Sequence, residues 1–394
     1  MSLSVIAEFT FWISVAALVY TYAGYPVLLF VVSSLRPRPV RREAIAPLVS
    51  IIITAHNEER DLETKLENTL ALDYPEERLE IIVASDCSSD RTDEIVEGFA
   101  NRGVRLFRQT KRLGKTAAQN AAVEHATGEI ILFSDATSNY QPDAVGKIVR
   151  PFADPTVGCV SGRLVYIDPS DSRVGHGARS YWNYEVFLKT HESRACSLIG
   201  ASGCLYAVRK SAYQPLYHEA CSDFIIATKM VEQGLRAVYE SKAICSEETN
   251  RQSRKELKMR VRVIAQTLSD LWRHRQMMNP LRSGFYAVQL LSHKILRYVV
   301  PFFLIAIFAA SAVLAMQSRM FLLLLLMETA CCLMALSGWV LERFGVRISV
   351  LSLPQYFVVA NFASLIAFYK FLKGEKYATW EPIRDPSQPS TVKG

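Results

Sequence analysis

Residues 49–58 read VSIIITAHNE, a β-branched run that ends in polar and acidic residues. Two later stretches repeat this arrangement, IIVASDCSSD at 81–90 and IILFSDAT at 130–137. Segments with helical spacing of apolar residues, including 61–70 and 116–126, lie between these runs. Short strands that alternate with helices are typical of an α/β domain with a mainly parallel sheet. We therefore predict an α/β domain in the middle of the chain.

An acidic residue follows each of the three predicted strands: Glu58, Asp86 and Asp135. Parallel strands bring their carboxyl ends to one edge of a sheet, where ligands of such sheets bind. Several carboxylates at one edge suit ribose hydroxyls and a divalent cation that holds a diphosphate. A single acidic residue after a strand could instead cap the next helix, and Glu58 or Asp90 could do only that.

A basic loop, Arg112 to Thr116 with the sequence RLGKT, lies between the second and third runs. Gly-Lys-Thr alone resembles a phosphate-binding P-loop, but that motif requires a glycine five residues before Gly114, where this chain has Gln109. The P-loop interpretation is therefore excluded. A loop that opens a helix can still bring Lys115 to a donor phosphate.

The composition indicates a soluble middle between apolar ends. Half of the 394 residues are hydrophobic and 21% are charged, which is too apolar for an ordinary soluble enzyme. A net charge of +7 favours phosphates or lipid head groups, and no zinc-finger, helix-turn-helix or RNA-binding pattern accompanies it, so we predict no nucleic-acid partner. The eight cysteines are scattered without metal-binding spacing, as expected in a reducing compartment.

Apolar segments long enough to cross a membrane occur near both ends, at 8–33 and at 297–316, 320–341 and 349–371. Four arginines follow the first segment and no Lys or Arg precedes it, which predicts an outside N-terminus and a cytoplasmic middle domain. Four crossings would then place the C-terminal tail outside, whereas its basic residues favour the inside. One segment could be interfacial or re-entrant.

These patterns divide the chain into five predicted parts. They are an N-terminal transmembrane helix (1–35), the α/β domain (36–250), basic amphipathic helices (251–296), about three transmembrane helices (297–372) and a tail (373–394). Residues 255–278 carry apolar residues at helical spacing among arginines and lysines, as in a helix that contacts lipid head groups. The alternative is a solvated face on a packed helix.

From Pro47 to about Arg262 the chain resembles the membrane-bound family 2 glycosyltransferases, the polysaccharide synthases and their relatives, among them N-acetylglucosaminyltransferases, cellulose synthases and hyaluronan synthases. The motifs are VSIIITAHNEE, LALDYPEERLEIIVASDCSSDRT, RLGKTAAQNAA, GEIILFSDAT and CSDF, flanked by YAGYP and FLKGEKYATWEP. The resemblance implies a GT-A (Rossmann-like) fold and a one-step inverting transfer from a nucleotide sugar, usually a UDP-sugar, with Mg²⁺ or Mn²⁺. It also implies an integral protein of a bacterial plasma (inner) membrane that acts in polysaccharide or glycoconjugate synthesis.

The resemblance also assigns roles to individual residues. It implies that Thr54, Glu58 and Asp86 hold the nucleoside, that Lys115 contacts the diphosphate and that Asp135 binds the metal. Asp223 in the CSDF motif matches the catalytic base, whose carboxylate takes a proton from the acceptor hydroxyl during attack. Ser222 or Asp223 could otherwise be only a helix N-cap. Trp182 is a candidate platform for an acceptor sugar, or else a core or membrane-interface residue.

Two departures from the family pattern bear on the chemistry. The usual Asp-x-Asp is Asp135-Ala136-Thr137, so a hydroxyl replaces the second carboxylate. The QxxRW box of processive synthases has only a degenerate match around Arg260 and Arg262, either of which could neutralise the donor diphosphate.

Three functions compete on this basis. The first is transfer to a glycan or lipid-linked hydroxyl, the second is transfer to a polyprenyl phosphate, and the third is a catalytically silent nucleotide-sugar-binding scaffold. A transporter is disfavoured because the apolar segments carry no Asp and only two Glu, Glu8 at the very start of the first segment and Glu328 inside the third.

Overall fold

The computed structural model describes residues 2–167, 175–248, 253–344 and 348–380. Within them, eight strands form one sheet in the order β3-β2-β1-β4-β7-β6-β8-β5. The strands are β1 Val49–Ala55, β2 Leu79–Ser85, β3 Val104–Arg108, β4 Ile130–Asp135, β5 Asn139–Tyr140, β6 Val157–Ile167, β7 Leu205–Arg209 and β8 Arg236–Glu248. The helices are α1 Leu3–Val19, α2 Tyr25–Leu35, α3 Leu62–Leu70, α4 Thr92–Gly98, α5 Lys115–His125, α6 Ala144–Val149, α7 Gly175–Ala195, α8 Ser222–Glu232, α9 Ser253–Arg273, α10 Pro280–Ser283, α11 Phe285–Leu290, α12 Leu296–Leu314, α13 Arg319–Arg343 and α14 Ser349–Leu372.

The parallel half of the sheet, β3-β2-β1-β4, confirms the predicted mainly parallel α/β domain. Strand β1 is buried along its whole length because helices cover both faces. Ile51 and Ile53 pack in the core that contains α3, whereas Ile52 packs in the core that contains α5. The register pairs Thr54 with Asp135, so the ends of β1 and β4 meet at one edge of the sheet.

The antiparallel half brings a late part of the chain back to this edge. Strand β7 runs antiparallel to both β4 and β6, and β8 then pairs in parallel with β6. The short strand β5 pairs antiparallel with β8, Asn139 opposite Ser246. The end of β8 therefore lies beside the turn that follows Asp135.

Gly128, just before β4, has no room for a side chain. A methyl group there would lie 2.5 Å from the Ser50 backbone nitrogen and 2.6 Å from Ser50 Oγ. We expect Gly128→Ala to destabilise the domain by about 1–3 kcal/mol through overpacking, measured as a lower thermal midpoint. Gly98→Ala in α4 is the control, since open space surrounds Gly98, and an equal loss in this variant would contradict the explanation.

Four helical segments are long and apolar enough to cross a membrane: Leu3–Leu35, Phe285–Leu314, Arg319–Leu341 and Pro354–Leu372. The segment Phe285–Leu314 begins earlier than the sequence predicted, since the predicted segment was 297–316. It contains a π-helical turn at Leu291–Ile295. Two basic residues of this helix pair with α7: His293 Nδ1 lies 2.6 Å from Glu192 Oε1, and Arg297 Nη1 lies 2.6 Å from Glu185 Oε1. Paired charges allow the helix to continue into the domain.

Helix α9 matches the predicted basic amphipathic helix, but its apolar face is not free. Val261, Ile264 and Leu268 pack against Ala363 and Ala367 of α14. This packing is what the alternative expects, and contact of the helix with lipid head groups stays a prediction.

Candidate active site

A cavity of about 250 Å³ opens at the carboxyl edge of the sheet. The charged residues that line it are Lys115, Asp135, Asp223, Glu247 and Arg262. They come from α5, β4, α8, β8 and α9, so the fold brings together residues that are far apart in the chain. Four of the five were predicted from the sequence, and Glu247 was not.

Lys115 is the first residue of α5, and its Nζ donates a hydrogen bond to Asp135 Oδ1. The preceding loop is fixed by Asp86, whose two carboxylate oxygens accept from the backbone N–H groups of Leu113 (2.8 Å) and Gly114 (2.9 Å). Gly114 has a φ of +101°, which glycine adopts without steric cost. Burial would lower the pKa of Lys115, but Asp135 and then Asp223 outweigh it and raise the pKa above its usual value.

Asp223 lies in the first turn of α8 and faces the same cavity. Its Oδ1 accepts from the backbone N–H of Phe224 (3.0 Å) and from Cys221 Sγ (3.1 Å), while a methyl group on Gly203 would lie 3.0 Å from its Oδ2. Asp270 of α9 supports this turn, since its Oδ2 accepts from the backbone N–H of Cys221 (3.0 Å). The N-cap residue of α8 is Cys221, so Asp223 is not the N-cap.

Glu247, near the end of β8, is the acidic residue of the cavity that the sequence did not predict. Burial, and next the charge of Asp135, raise its pKa to about 7, while Lys115 and Lys65 oppose the shift. Lys65 is buried, its Nζ donates to the Ser138 carbonyl (2.6 Å), and burial lowers its pKa to about 7. Asp135 and Glu247 therefore place two carboxylates at one cavity.

The segment 377–380 forms a wall of the cavity. Gln266 Nε2 donates to the Tyr377 carbonyl (2.7 Å), and Arg112 donates to the Trp380 carbonyl. The Trp380 ring lies edge-on to His56, with 5.8 Å between ring centroids. A methyl group on Gly114 would lie 1.9 Å from the Ala378 carbonyl oxygen, so this wall touches the loop that carries Lys115.

Comparison with known proteins identifies this domain. Residues 50–216 match the model of glycosyl transferase family 2. Residues 50–216 therefore have the sequence of a family 2 glycosyltransferase domain. That match spans both Lys115 and Asp135, whereas Asp223, Glu247 and Arg262 lie after its end.

Two curated proteins are similar in sequence to parts of this chain. A probable glycosyltransferase, YdaM of Bacillus subtilis, is 35% identical over 128 residues, 31% of this chain and 30% of that protein. A poly-beta-1,6-N-acetyl-D-glucosamine synthase of Staphylococcus epidermidis is 26% identical over 203 residues, 50% of this chain and 49% of that protein. The alignments thus span less than half the length of these two relatives.

A solved structure extends the likeness to nearly the whole fold. The mannosyltransferase PcManGT from Pyrobaculum calidifontis, in complex with GDP-Man and Mn²⁺, superposes with a TM-score of 0.73 at 24% identity. The superposition covers 93% of this chain and 99% of that one. The glycosyltransferase domain therefore has the GT-A fold that its sequence motifs predicted.

Several predicted site residues of the glycosyltransferase domain are not among those that line the cavity: Thr54, Glu58, Asp86 and Arg260. Thr54 is buried, and its Oγ1 has no hydrogen-bond partner among the described residues. Glu58 is buried, and its backbone N–H donates to Thr92 Oγ1 (2.8 Å). Arg260 turns toward α14, with its guanidinium 4.7 Å from the Tyr356 ring centroid. The side chain of Trp182 lies outside the described residues.

The donor set of the cavity fits a divalent cation that is shared with a diphosphate. Within residues 2–167, 175–248, 253–344 and 348–380, no group of three or more His, Cys, Asp or Glu side chains forms a complete metal site. Mg²⁺ and Mn²⁺ prefer oxygen ligands, and Mg²⁺ is commonly held by one or two carboxylates together with substrate phosphates and water. Asp135 and Glu247 supply two carboxylates at the cavity, which meets this requirement.

Proposed function

We propose that this protein is a membrane-embedded, inverting glycosyltransferase that moves a sugar from a UDP-sugar to a hydroxyl group of a glycan or lipid-linked acceptor. One observation carries the proposal: the Asp223 carboxylate shares a single cavity with the Lys115–Asp135 pair and Arg262. Such a cavity combines a proton-accepting carboxylate with charged groups that can bind a diphosphate. The polysaccharide synthase among the relatives supports a glycan acceptor.

Asp223 is the proposed general base. In an inverting displacement, the acceptor oxygen forms a bond to the anomeric carbon as the bond to the nucleoside diphosphate breaks. The acceptor proton passes to a carboxylate on the attacking side. The hydrogen bonds from Phe224 N–H and Cys221 Sγ fix Asp223 Oδ1, which leaves Oδ2, on the Gly203 side, to take the proton.

The departing diphosphate needs positive charge in place of a general acid. Lys115 and Arg262 are the proposed cationic groups, and Asp86 positions Lys115 by holding the backbone of Leu113 and Gly114. Asp135 would hold Mg²⁺ or Mn²⁺, and a bound cation would stabilise the negative charge that develops on the leaving group. Thr54, whose buried hydroxyl has no hydrogen-bond partner in the described part of the chain, remains a proposed nucleoside contact.

The membrane location is proposed from the four apolar helices, whose large side chains are extensively exposed. The glycosyltransferase domain would lie in the cytoplasm of a bacterial cell, as the arginines after the first helix indicate. Contacts of residues 377–380 with the domain favour a tail on that same side. With an outside N-terminus, one C-terminal helix then does not cross, and α14, packed along α9, is the proposed one.

Incubation of membranes with a panel of UDP- and GDP-sugars tests the proposal, with and without Mg²⁺ or Mn²⁺, and with lipid and polymer products analysed by mass. We expect cation-dependent consumption of one UDP-sugar and a product heavier than its acceptor by one or more sugar residues. Tight donor binding without any turnover would instead indicate the silent scaffold.

A polyprenyl phosphate acceptor is the second candidate, and two ammonium groups near Asp223 favour it. Lys189 Nζ donates to Ser202 Oγ (2.7 Å), beside Gly203, and Lys294 Nζ lies 5.3 Å from the ring centroid of Phe224. Burial lowers the pKa of Lys189, a shift that Glu185 partly opposes. A phosphate acceptor is already ionised and needs no base, so the two candidates differ in their dependence on Asp223.

A further inference from the structure

The Asp-x-Asp triplet of this chain offers the cavity one carboxylate. Asp135 lines the cavity, whereas the exposed Thr137 stands where the resemblance would place a second aspartate and is not among the lining residues. A neutral hydroxyl is a weak ligand for a hard divalent cation, which prefers carboxylate oxygens. If the cation keeps two protein carboxylates, the second must come from another part of the chain.

Glu247 is placed to supply it. Strand β8 runs beside the turn after β4 because Ser246 pairs with Asn139 of β5, and Glu247 pairs with Tyr166 of β6. Glu247 and Tyr166 both line the cavity that contains Asp135. The sheet thus brings the Glu247 carboxylate to the same cavity as Asp135, without any need for Thr137.

The carboxylate of Glu247 also lacks a partner of its own. It is partly buried, and no hydrogen-bond donor or ion-pair partner for its carboxylate is found among the described residues. Lys115, which lines the same cavity, is paired with Asp135. An ionised carboxylate that is shielded from water and has no donors is unfavourable, and a bound cation offsets this cost.

We propose that Glu247 is the second carboxylate ligand of the divalent cation that Asp135 and the donor diphosphate share. Glu247 takes the place of the missing aspartate of the triplet, and Lys115 leaves Asp135 for the diphosphate when the cation binds. This inference rests on the proposed function, since it assumes a nucleoside diphosphate in the cavity.

The test is Mn²⁺ binding by the detergent-purified full-length protein in the presence of UDP, followed by electron paramagnetic resonance of free Mn²⁺. We compare the wild type with Glu247→Gln, Glu247→Asp and the control Glu129→Gln, an exposed residue that precedes β4. We expect Glu247→Gln to weaken Mn²⁺ binding at least about ten-fold, since even the loss of an outer-shell partner commonly costs 10–100-fold. Glu247→Asp should retain part of the affinity, and Glu129→Gln all of it.

Equal Mn²⁺ affinities of the wild type and Glu247→Gln would overturn the inference, as would an equal loss in Glu129→Gln. UDP binding without Mn²⁺, measured on each variant, shows whether a loss reflects unfolding, and partial rescue by Glu247→Asp supports the ligand role. Donor turnover by a wild-type protein that binds no Mn²⁺ would refute the role of Glu247 as a cation ligand but would leave the proposed function intact. Mn²⁺ binding that depends on Glu247, without turnover of any sugar donor, would support the ligand role and refute the proposed function.

Discussion

Asp223→Asn is expected to lower kcat for sugar transfer by about 10²–10⁴-fold, the usual contribution of a general base, with donor affinity unchanged. Asparagine keeps the shape of the side chain, and its Oδ1 can still accept from the Phe224 N–H. It cannot take a proton at neutral pH. The loss should therefore appear in the transfer step, measured as product formed at saturating donor and acceptor.

Donor binding by the Asp223→Asn variant separates loss of the base from loss of the fold. Asp73→Asn is a matched control, because Asp73 is exposed in the loop after α3 and is not among the cavity residues. Unchanged kcat in Asp223→Asn would refute a hydroxyl acceptor that depends on this base. The polyprenyl phosphate acceptor would then become the leading candidate.

The second large effect is expected from Lys115→Met, which should reduce kcat by about 10²–10³-fold, the usual cost of losing one preorganised electrostatic group. Methionine fills a similar volume but cannot neutralise the diphosphate as its bond to the sugar breaks. It also leaves Asp135 without the ammonium group that contacts it. Single-turnover rates with a saturating sugar donor measure this effect directly.

Lys111→Met is the control for Lys115→Met, since Lys111 is exposed in the same loop and does not line the cavity. Both variants remove one positive charge from one short segment, so a general change in electrostatic attraction would affect them equally. A loss confined to Lys115→Met supports direct contact with the donor. Equal rates in the two variants would show that Lys115 does not act on the diphosphate.

Local sequence was sufficient for the parts of the fold that depend on neighbouring residues. The β-branched runs predicted β1, β2 and β4, and the polar residues directly after them marked the edge where the cavity lies. Asp135 and Lys115 could be found in this way because each belongs to a short motif at a strand end or a helix start. The CSDF motif located Asp223 by its resemblance to the family.

The residues that were missed depend on contacts between distant segments. Glu247 reaches the cavity only through the pairing of β8 with β5 and β6, which no local pattern in the sequence encodes. Arg260 and Arg262 were indistinguishable in the sequence, although residues two apart on a helix point about 200° apart. Arg262 lines the cavity, whereas Arg260 contacts Tyr356 of α14.

Asp86 has a structural role in addition to the nucleoside contact that was predicted for it. The motif predicted a nucleoside contact, and both carboxylate oxygens accept from backbone N–H groups of the Leu113–Gly114 loop. A carboxylate that accepts peptide hydrogen bonds holds a loop in a fixed position. This arrangement could not be predicted because it depends on the path of the loop in three dimensions.

The wall formed by residues 377–380 has a practical consequence for work on this protein. Tyr377, Ala378 and Trp380 follow directly after helix α14, yet they touch Gln266, the Gly114 loop and His56 of the catalytic domain. A C-terminal deletion that starts before Tyr377 would remove this wall of the cavity. Shortened versions of the chain should therefore be compared as altered enzymes, and never as the same enzyme without a dispensable tail.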